Sequence, residues 1–255
     1  MMLAVDIGNT NITLGLFNEA GLFVKDFRLP SDKDLSVFEY EVLLKSLLGD
    51  YHFSGCICAS VVEELNMKIK NALDSVFSVD SIFISSDMNL GISIITNSPS
   101  EVGADRIANA VAICAKYPKT NVIVVDFGTA TTFDIVNSKG EFCGGVIAPG
   151  LKTQLKSLNS ATSKLPKIDV AISPAAIGHN TYEAILSGVI RGSACMVDGL
   201  VKQCEKELGE SVKLVATGGY CGLIQNYTQR KFDEINPILT LEGLREIYLK
   251  CKACV

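Results

Sequence analysis

Residues 2–17, MLAVDIGNTNITLGLF, decide the fold. The apolar run that ends at Asp6 predicts a strand, GNTN predicts a tight turn, and the alternating ITLGLF predicts a returning strand. The same layout recurs at 121–136, NVIVVDFGTATTFDIV, where Asp-x-Gly begins at Asp126 instead of Asp6. Each copy opens a three-stranded meander that helices and strands follow. The chain is therefore predicted to be a duplicated α/β unit with a cleft between the copies.

Hydrophobic periodicity predicts the remaining elements and a boundary near residue 100. The N-terminal half, 1–100, is predicted to run βββαβαβ. The C-terminal half, 101–255, begins with a helix from Glu101 capped by Ser100. The predicted helices cover 34–48, 62–77, 101–117, 151–158, 180–206 and 240–251, and the later predicted strands cover 121–126, 131–136, 141–149 and 213–217.

Composition excludes several classes of protein. Of the 255 residues, 48% are hydrophobic and 20% charged, as in soluble globular proteins. A net charge of −5 disfavours a nucleic-acid surface. No apolar stretch reaches the roughly 18 residues of a membrane helix, and no basic segment leads the N-terminus. We expect no membrane partner, a cytoplasmic location, and reduced thiols for the nine cysteines.

The first turn carries groups suited to phosphate binding. Gly8 permits close approach of a ligand, and Asn9, Thr10 and Asn11 supply side-chain donors beside backbone N–H groups. Asp6, at the end of the strand, could hold a hydrated Mg²⁺, because an acid beside a phosphate needs a bridging cation. Taken alone, the pattern is equally well explained by a plain β-hairpin.

The second turn, DFGTATT at 126–132, strengthens the functional interpretation. Two acid-glycine turns from matched units could face each other and hold phosphates from two sides, with Asp126 and Thr129 contributing from the second. Such an arrangement suits phosphoryl transfer, which depends on positioning and charge neutralisation. No GxxxxGK[ST] sequence occurs, so a P-loop is excluded.

An ordered set of motifs resembles that of the type III pantothenate kinases, over nearly the whole chain. The motifs are DIGNTN, GADRIANAVA at 103–112, DFGTATTFD at 126–134, GGVIAPG at 144–150, ATGGY at 216–220 and LTLEGLREIY at 239–248. The resemblance implies ATP-dependent phosphorylation of pantothenate to 4'-phosphopantothenate, the first step of coenzyme A biosynthesis. It also implies a cytoplasmic homodimer. Each chain would consist of two actin-like ATPase (ribonuclease H-like) units, and each unit would be a mixed five-stranded sheet flanked by helices.

The resemblance further implies roles for individual residues. Asp105 would be the catalytic base, and Asp126 would bind a monovalent cation, K⁺ or NH₄⁺. The implied ATP contacts are Asp6, Ile7, Gly8, Asn9, Thr10, Asn11, Ile12, Thr13 and Thr129. The implied pantothenate contacts are Gly103, Ala104, Asp105, Arg106 and Thr181. Thr96 stands where the family usually has a tyrosine that contacts the substrate, so pantothenate affinity or substrate identity could differ.

The chemistry of Asp105 and Arg106 is consistent with this implication. A carboxylate in the first turn of a helix is favoured by the helix dipole, and Arg106 lies beside it. Both effects predict a lowered pKa for Asp105, and Arg106 could pair with a substrate carboxylate. Without the resemblance, the pair is an ordinary charged first turn. Three alternatives stay open: a kinase for another small hydroxyl compound, a catalytically silent nucleotide-binding regulator, and a phosphohydrolase.

Overall fold

The computed structural model describes residues 1–86, 88–162 and 165–253. The strands are β1 Met2–Ile7, β2 Asn11–Phe17, β3 Phe23–Pro30, β4 Gly55–Ser60, β5 Ser81–Phe83, β6 Ser93–Ile94, β7 Val122–Phe127, β8 Ala130–Val136, β9 Glu141–Pro149, β10 Lys213–Thr217 and β11 Glu234–Ile235. The helices are α1 Val37–Leu48, α2 Glu63–Phe77, α3 Ala104–Lys116, α4 Leu151–Ala161, α5 Thr181–Leu186, α6 Gly192–Leu208, α7 Cys221–Ile224 and α8 Leu239–Ala253.

The first compact unit contains Met1–Lys116 and the C-terminal helix α8. Its sheet has the order β3-β2-β1-β4-β5, in which β1, β2 and β3 are antiparallel and β4 is parallel to β1. Apolar side chains of β1, such as Leu3 and Val5, pack against Tyr40 of α1 and Leu65 of α2 in a closed core. Burial of this one sheet face stabilises the unit and fixes the strand register.

The second unit, Tyr117–Ile238, repeats that layout. Five of its strands lie in the order β9-β8-β7-β10-β11, with β7, β8 and β9 antiparallel and β10 parallel to β7. The irregularities also correspond, since the register shifts at Leu16/Phe17 in β2 and at Ile135/Val136 in β8. The predicted duplication and the mixed sheets are confirmed. The first sheet has the predicted five strands, whereas the second sheet has six.

The compact units are divided differently from the predicted halves, 1–100 and 101–255. Both α3 and α8 belong to the first unit, so the chain enters the second unit after Lys116 and returns at Leu239. The two helices pack backbone to backbone, because a Cβ on Gly243 would lie 1.9 Å from the carbonyl oxygen of Ala108. Local periodicity predicts each helix but gives no information on this pairing.

Two helix predictions need correction. The helix predicted from Glu101 begins at Ala104, because a 3₁₀ turn at Pro99–Glu101 precedes it and Val102 is extended. The helix predicted at 180–206 is interrupted by a π-helical turn at Ser187–Arg191. The whole span Thr181–Leu208 is long and apolar enough for a membrane helix, but its buried side chains, including Val197 and Val201, belong to the core of the second unit.

Candidate active site

The first turn is built from β1, β2 and a residue that follows β3. The N–H of Gly8 donates to the carbonyl of Asn11 at 3.0 Å, which closes the turn. Ser31, which follows β3, makes two hydrogen bonds to the turn. Its hydroxyl donates to the Gly8 carbonyl, and its N–H donates to the Thr10 carbonyl at 3.1 Å. Asn9, Thr10 and Asn11 remain exposed. Ser31 supports this turn from 23 residues away, so no local pattern could predict its contribution.

The side chains of Ile7 and Ile12 are almost completely buried in the core of the first unit. They anchor the two ends of the turn, and any contact they make with a ligand is therefore through the backbone. Asp6 and Thr13 pair across β1 and β2 and are half-buried on the other sheet face.

That other face of the sheet carries α8 and α3. Ala4 pairs with Gly15, and a Cβ on Gly15 would lie 2.7 Å from Cδ1 of Leu241 in α8. Because side chains alternate along a strand, Asp6 shares this face with Ala4. Helix α3, which packs on α8, therefore lies on the same side of the sheet as Asp6.

Asp105 lies at the same end of the first unit as the turn. The N–H of Val61, just after β4, donates to the carbonyl of Ile7 at 3.1 Å. A Cβ on Gly103 would lie 3.6 Å from Cγ1 of Val61. The start of α3 therefore sits beside the carboxyl ends of β1 and β4. The structure brings the predicted stretch 103–106 close to the predicted phosphate turn.

The electrostatics of Asp105 differ from the sequence prediction. Burial raises the pKa of Asp105 above its usual value, and this effect outweighs the N–H of Arg106, which donates to Oδ1 at 2.8 Å, and the Arg106 charge. The predicted lowering of the pKa was wrong, because the sequence reveals the neighbouring charge and helix dipole but not the desolvation. A raised pKa makes the carboxylate a stronger base.

In the second unit, Asp126 lies where β7 ends and pairs with Thr217 of β10. Gly218 follows β10 with a φ of +84°, a conformation that favours glycine. A Cβ there would lie 2.3 Å from Oδ1 of Asp126 and 2.6 Å from the nitrogen of Phe127. The carboxylate therefore packs directly against the backbone of the ATGGY motif.

The second turn is held by the start of α4. The N–H of Gly150 donates to the Thr129 carbonyl at 3.1 Å, and the Thr153 hydroxyl donates to the same oxygen at 2.7 Å. A Cβ on Gly150 would lie 2.3 Å from the Gly128 carbonyl oxygen. The glycine that ends GGVIAPG therefore allows the backbone approach that fixes Thr129.

Thr181 lies on a cavity of about 810 Å³ within the second unit. It is exposed in the first turn of α5, where Asn180 is the N-cap and accepts from the Glu183 N–H at 2.9 Å. Apolar lining comes from Leu158, Leu165, Ile185 and Val189, and polar lining from Gln154, Ser157, His179, Asn180 and Thr181. A mainly apolar cavity with a few polar groups is typical of small-molecule sites.

Thr96, in the first unit, is half-buried. Its Oγ1 is inaccessible to solvent and has no hydrogen-bond partner within the described part of the chain. A buried hydroxyl without a partner is costly, and a bound ligand could satisfy it.

The donor chemistry fits the implied cations. Over the described ranges, no group of three or more His, Cys, Asp or Glu side chains is placed to hold a metal ion. Single carboxylates such as Asp6 and Asp126 are instead suited to hard cations that keep water or take phosphate oxygens.

The chain has the duplicated fold of actin-like ATPases and sugar kinases, with one acid-glycine turn in each unit. The fold is similar to that of a solved putative 2-dehydro-3-deoxygalactonokinase from Sinorhizobium meliloti, with a TM-score of 0.61 at 12% identity over 99% of this chain and 96% of that one. A putative Baf family transcriptional activator from Campylobacter jejuni gives a TM-score of 0.63 at 23% identity over 98% and 99%.

The family model of type III pantothenate kinase matches residues 2–203. The type III pantothenate kinase of Citrifermentans bemidjiense is 41% identical over 257 aligned residues, covering 99% of this chain and all of that protein. The chain belongs to the type III pantothenate kinase family. Membership indicates a phosphotransferase and ATP-dependent phosphorylation of pantothenate in coenzyme A biosynthesis, as the motifs predicted.

Proposed function

We propose that this chain transfers the γ-phosphoryl group of ATP to the terminal hydroxyl of pantothenate, with Asp105 as the base. The observation that carries the assignment is the placement of Asp105 in the first unit, beside the ends of β1 and β4 and on the sheet face shared by Asp6. Its raised pKa favours acceptance of the hydroxyl proton as the new phosphate ester bond forms. The bond from the γ-phosphorus to the bridging oxygen breaks, and ADP leaves.

We assign the ATP phosphates to the turn after Asp6. The closed turn and its exposed residues Asn9, Thr10 and Asn11 support contacts with anionic oxygens. In the second unit, Thr129 is held in place by Gly150 and would contact the nucleotide.

Two cations belong to this proposal. Mg²⁺ bound to ATP would neutralise phosphate charge, and Asp6 would hold it through water. Asp126 would hold the monovalent cation, K⁺ or NH₄⁺. Its carboxylate packs against the backbone at Gly218, and this support for the position of the carboxylate favours the role.

Pantothenate contacts are assigned to Gly103, Ala104, Asp105, Arg106, Thr96 and Thr181. Arg106 would pair with the pantothenate carboxylate, which suits guanidinium geometry. The buried, unpartnered Oγ1 of Thr96 supports a polar contact despite the loss of the family tyrosine. The cavity at Thr181 supports binding of a compact ligand with both apolar and polar groups.

The proposal includes a cytoplasmic homodimer. Large apolar side chains are exposed close together in sequence in the second unit, at Ile172, Ile177 and Tyr182. These three side chains are therefore our candidates for contact with a second copy of the chain.

An ADP-release assay with ATP, Mg²⁺ and K⁺, run with and without pantothenate, tests the proposal. We expect ADP release that requires pantothenate, together with formation of phosphopantothenate by mass spectrometry. Release that requires a different hydroxyl compound would identify another kinase, and release without any acceptor would identify a hydrolase. Nucleotide binding without release would identify a silent regulator. Replacing K⁺ by Na⁺ should lower turnover, and unchanged turnover would remove the cation role from Asp126.

A further inference from the structure

The helix that lines the cavity is interrupted by the π turn Ser187–Arg191. Gly188 and Val189 of this turn line the cavity, whereas Arg191 does not. Single π turns within α-helices occur frequently at functional sites. The contacts of Arg191 indicate what this turn does.

Arg191 binds Ser173, which is 2% exposed. Its Nε donates to the Ser173 hydroxyl at 3.1 Å, and its Nη2 lies 3.4 Å from the Ser173 carbonyl oxygen. The guanidinium also stacks over the ring of Tyr227 at 5.0 Å. This combination of a forked donor and a planar stacking surface is available to arginine but not to lysine.

Tyr227 also binds Ser173, through the Ser173 backbone. Its hydroxyl accepts from the Ser173 N–H at 2.9 Å and donates to the Ser173 carbonyl at 3.2 Å. All the backbone polar atoms of Ser173 are thus fixed by two side chains distant in sequence. We call Arg191, Ser173 and Tyr227 the serine clamp.

The serine clamp fixes the start of the segment 173–180, whose last three residues line the cavity. Further along, the Ser187 hydroxyl donates to the Ala176 carbonyl at 2.6 Å. Gly178 packs against the start of α5, since a Cβ there would lie 2.3 Å from the nitrogen of Ala184. The segment 173–180 is therefore fixed at both ends, and it forms the part of the cavity wall that precedes Thr181.

We propose that Arg191 is a positioning residue for substrate binding, because the serine clamp holds the cavity wall that precedes Thr181. The inference rests on the proposed contact between Thr181 and pantothenate. Loosening the clamp would move the wall without touching the phosphate turns or Asp105. Its effect should therefore fall on pantothenate affinity, with little effect on ATP affinity or on the chemical step.

Steady-state kinetics of Arg191→Lys and Tyr227→Phe test this role. Each variant loses about two hydrogen bonds to Ser173, so we expect KM for pantothenate to rise about fivefold to tenfold. We expect kcat and KM for ATP to change by less than about twofold. Because both side chains act on Ser173, the double variant should raise KM by less than the product of the single effects.

Arg230→Lys is the matched control. Arg230 also binds a carbonyl in the second unit, that of Val212, and pairs with Glu205, but it does not line the cavity. Its KM values should stay at wild-type levels. An unchanged KM for pantothenate in both clamp variants, or an equal rise in Arg230→Lys, would overturn the inference.

Wild-type protein without pantothenate-dependent turnover would instead refute the proposed function and, with it, this inference. Thermal unfolding verifies that each variant is folded.

Discussion

Replacing Asp105 by asparagine separates its basicity from its structural role. The Oδ1 atom accepts the Arg106 N–H at 2.8 Å, and an asparagine oxygen can keep that bond. The substitution therefore removes the charge and the proton acceptor with little change in shape. Because burial raises the pKa of Asp105, the ionised carboxylate is disfavoured in the folded state, so we expect thermal stability at or above the wild-type value when the charge is removed.

The expected loss of turnover follows from general base catalysis. A positioned base contributes about 10²- to 10⁴-fold, which corresponds to about 3–5 kcal/mol of transition-state stabilisation. We expect kcat of Asp105→Asn to fall within that range while ATP affinity, measured by calorimetry, is retained. In the wild-type protein, the ionised carboxylate is the active form. Because its pKa is raised, activity should fall on acidification at a higher pH than for an ordinary aspartate.

A second variant moves the carboxylate instead of removing it. A Cβ on Gly103 would lie 2.6 Å from Oδ1 of Asp105, so Gly103→Ala should displace that oxygen. Turnover should fall in this variant too, although the base is chemically intact. Turnover of Asp105→Asn within about threefold of wild type, with normal ATP binding, would refute the assignment of Asp105 as the base.

Two further predictions concern stability. Gly218→Ala should destabilise the protein by about 2 kcal/mol or more, because Gly218 has a φ of +84° and its new Cβ would lie 2.3 Å from the Asp126 carboxylate. Gly219→Ala, where a Cβ meets nothing within 4 Å, is the thermal-unfolding control, and an equal loss there would contradict the reasoning. At Asp74, burial opposes ionisation, but hydrogen bonds, chiefly from Ser81, outweigh it and lower the pKa. Its stabilisation is present above the unfolded pKa, near 4, and is lost as pH falls below it. Asp74→Asn should therefore cost about 2 kcal/mol at pH 7 by urea unfolding and progressively less in acid, and a pH-independent cost would contradict this explanation.

The local sequence predicted most elements and the residues at both turns. Strand, turn and strand follow from alternation and from Gly8 and Gly128, which are adjacent in sequence to the groups they position. The ordered motifs by themselves also indicated the family. The 3₁₀ turn at Pro99–Glu101 was missed, because Ser100 followed by Glu101 is typical of a helix start. The π turn at Ser187–Arg191 was missed, because apolar spacing continues through it.

The sequence by itself determined the duplicated strand-turn-strand layout and the acid at the end of each first strand, since these depend on neighbouring residues. The tertiary structure alone decided that α8 joins the first unit, that Ser31 supports the first turn and that Gly218 lies against Asp126. It also decided the direction of the Asp105 pKa shift. The physical reason is that burial and contact join residues far apart in the chain, and desolvation depends on all the atoms that surround a group.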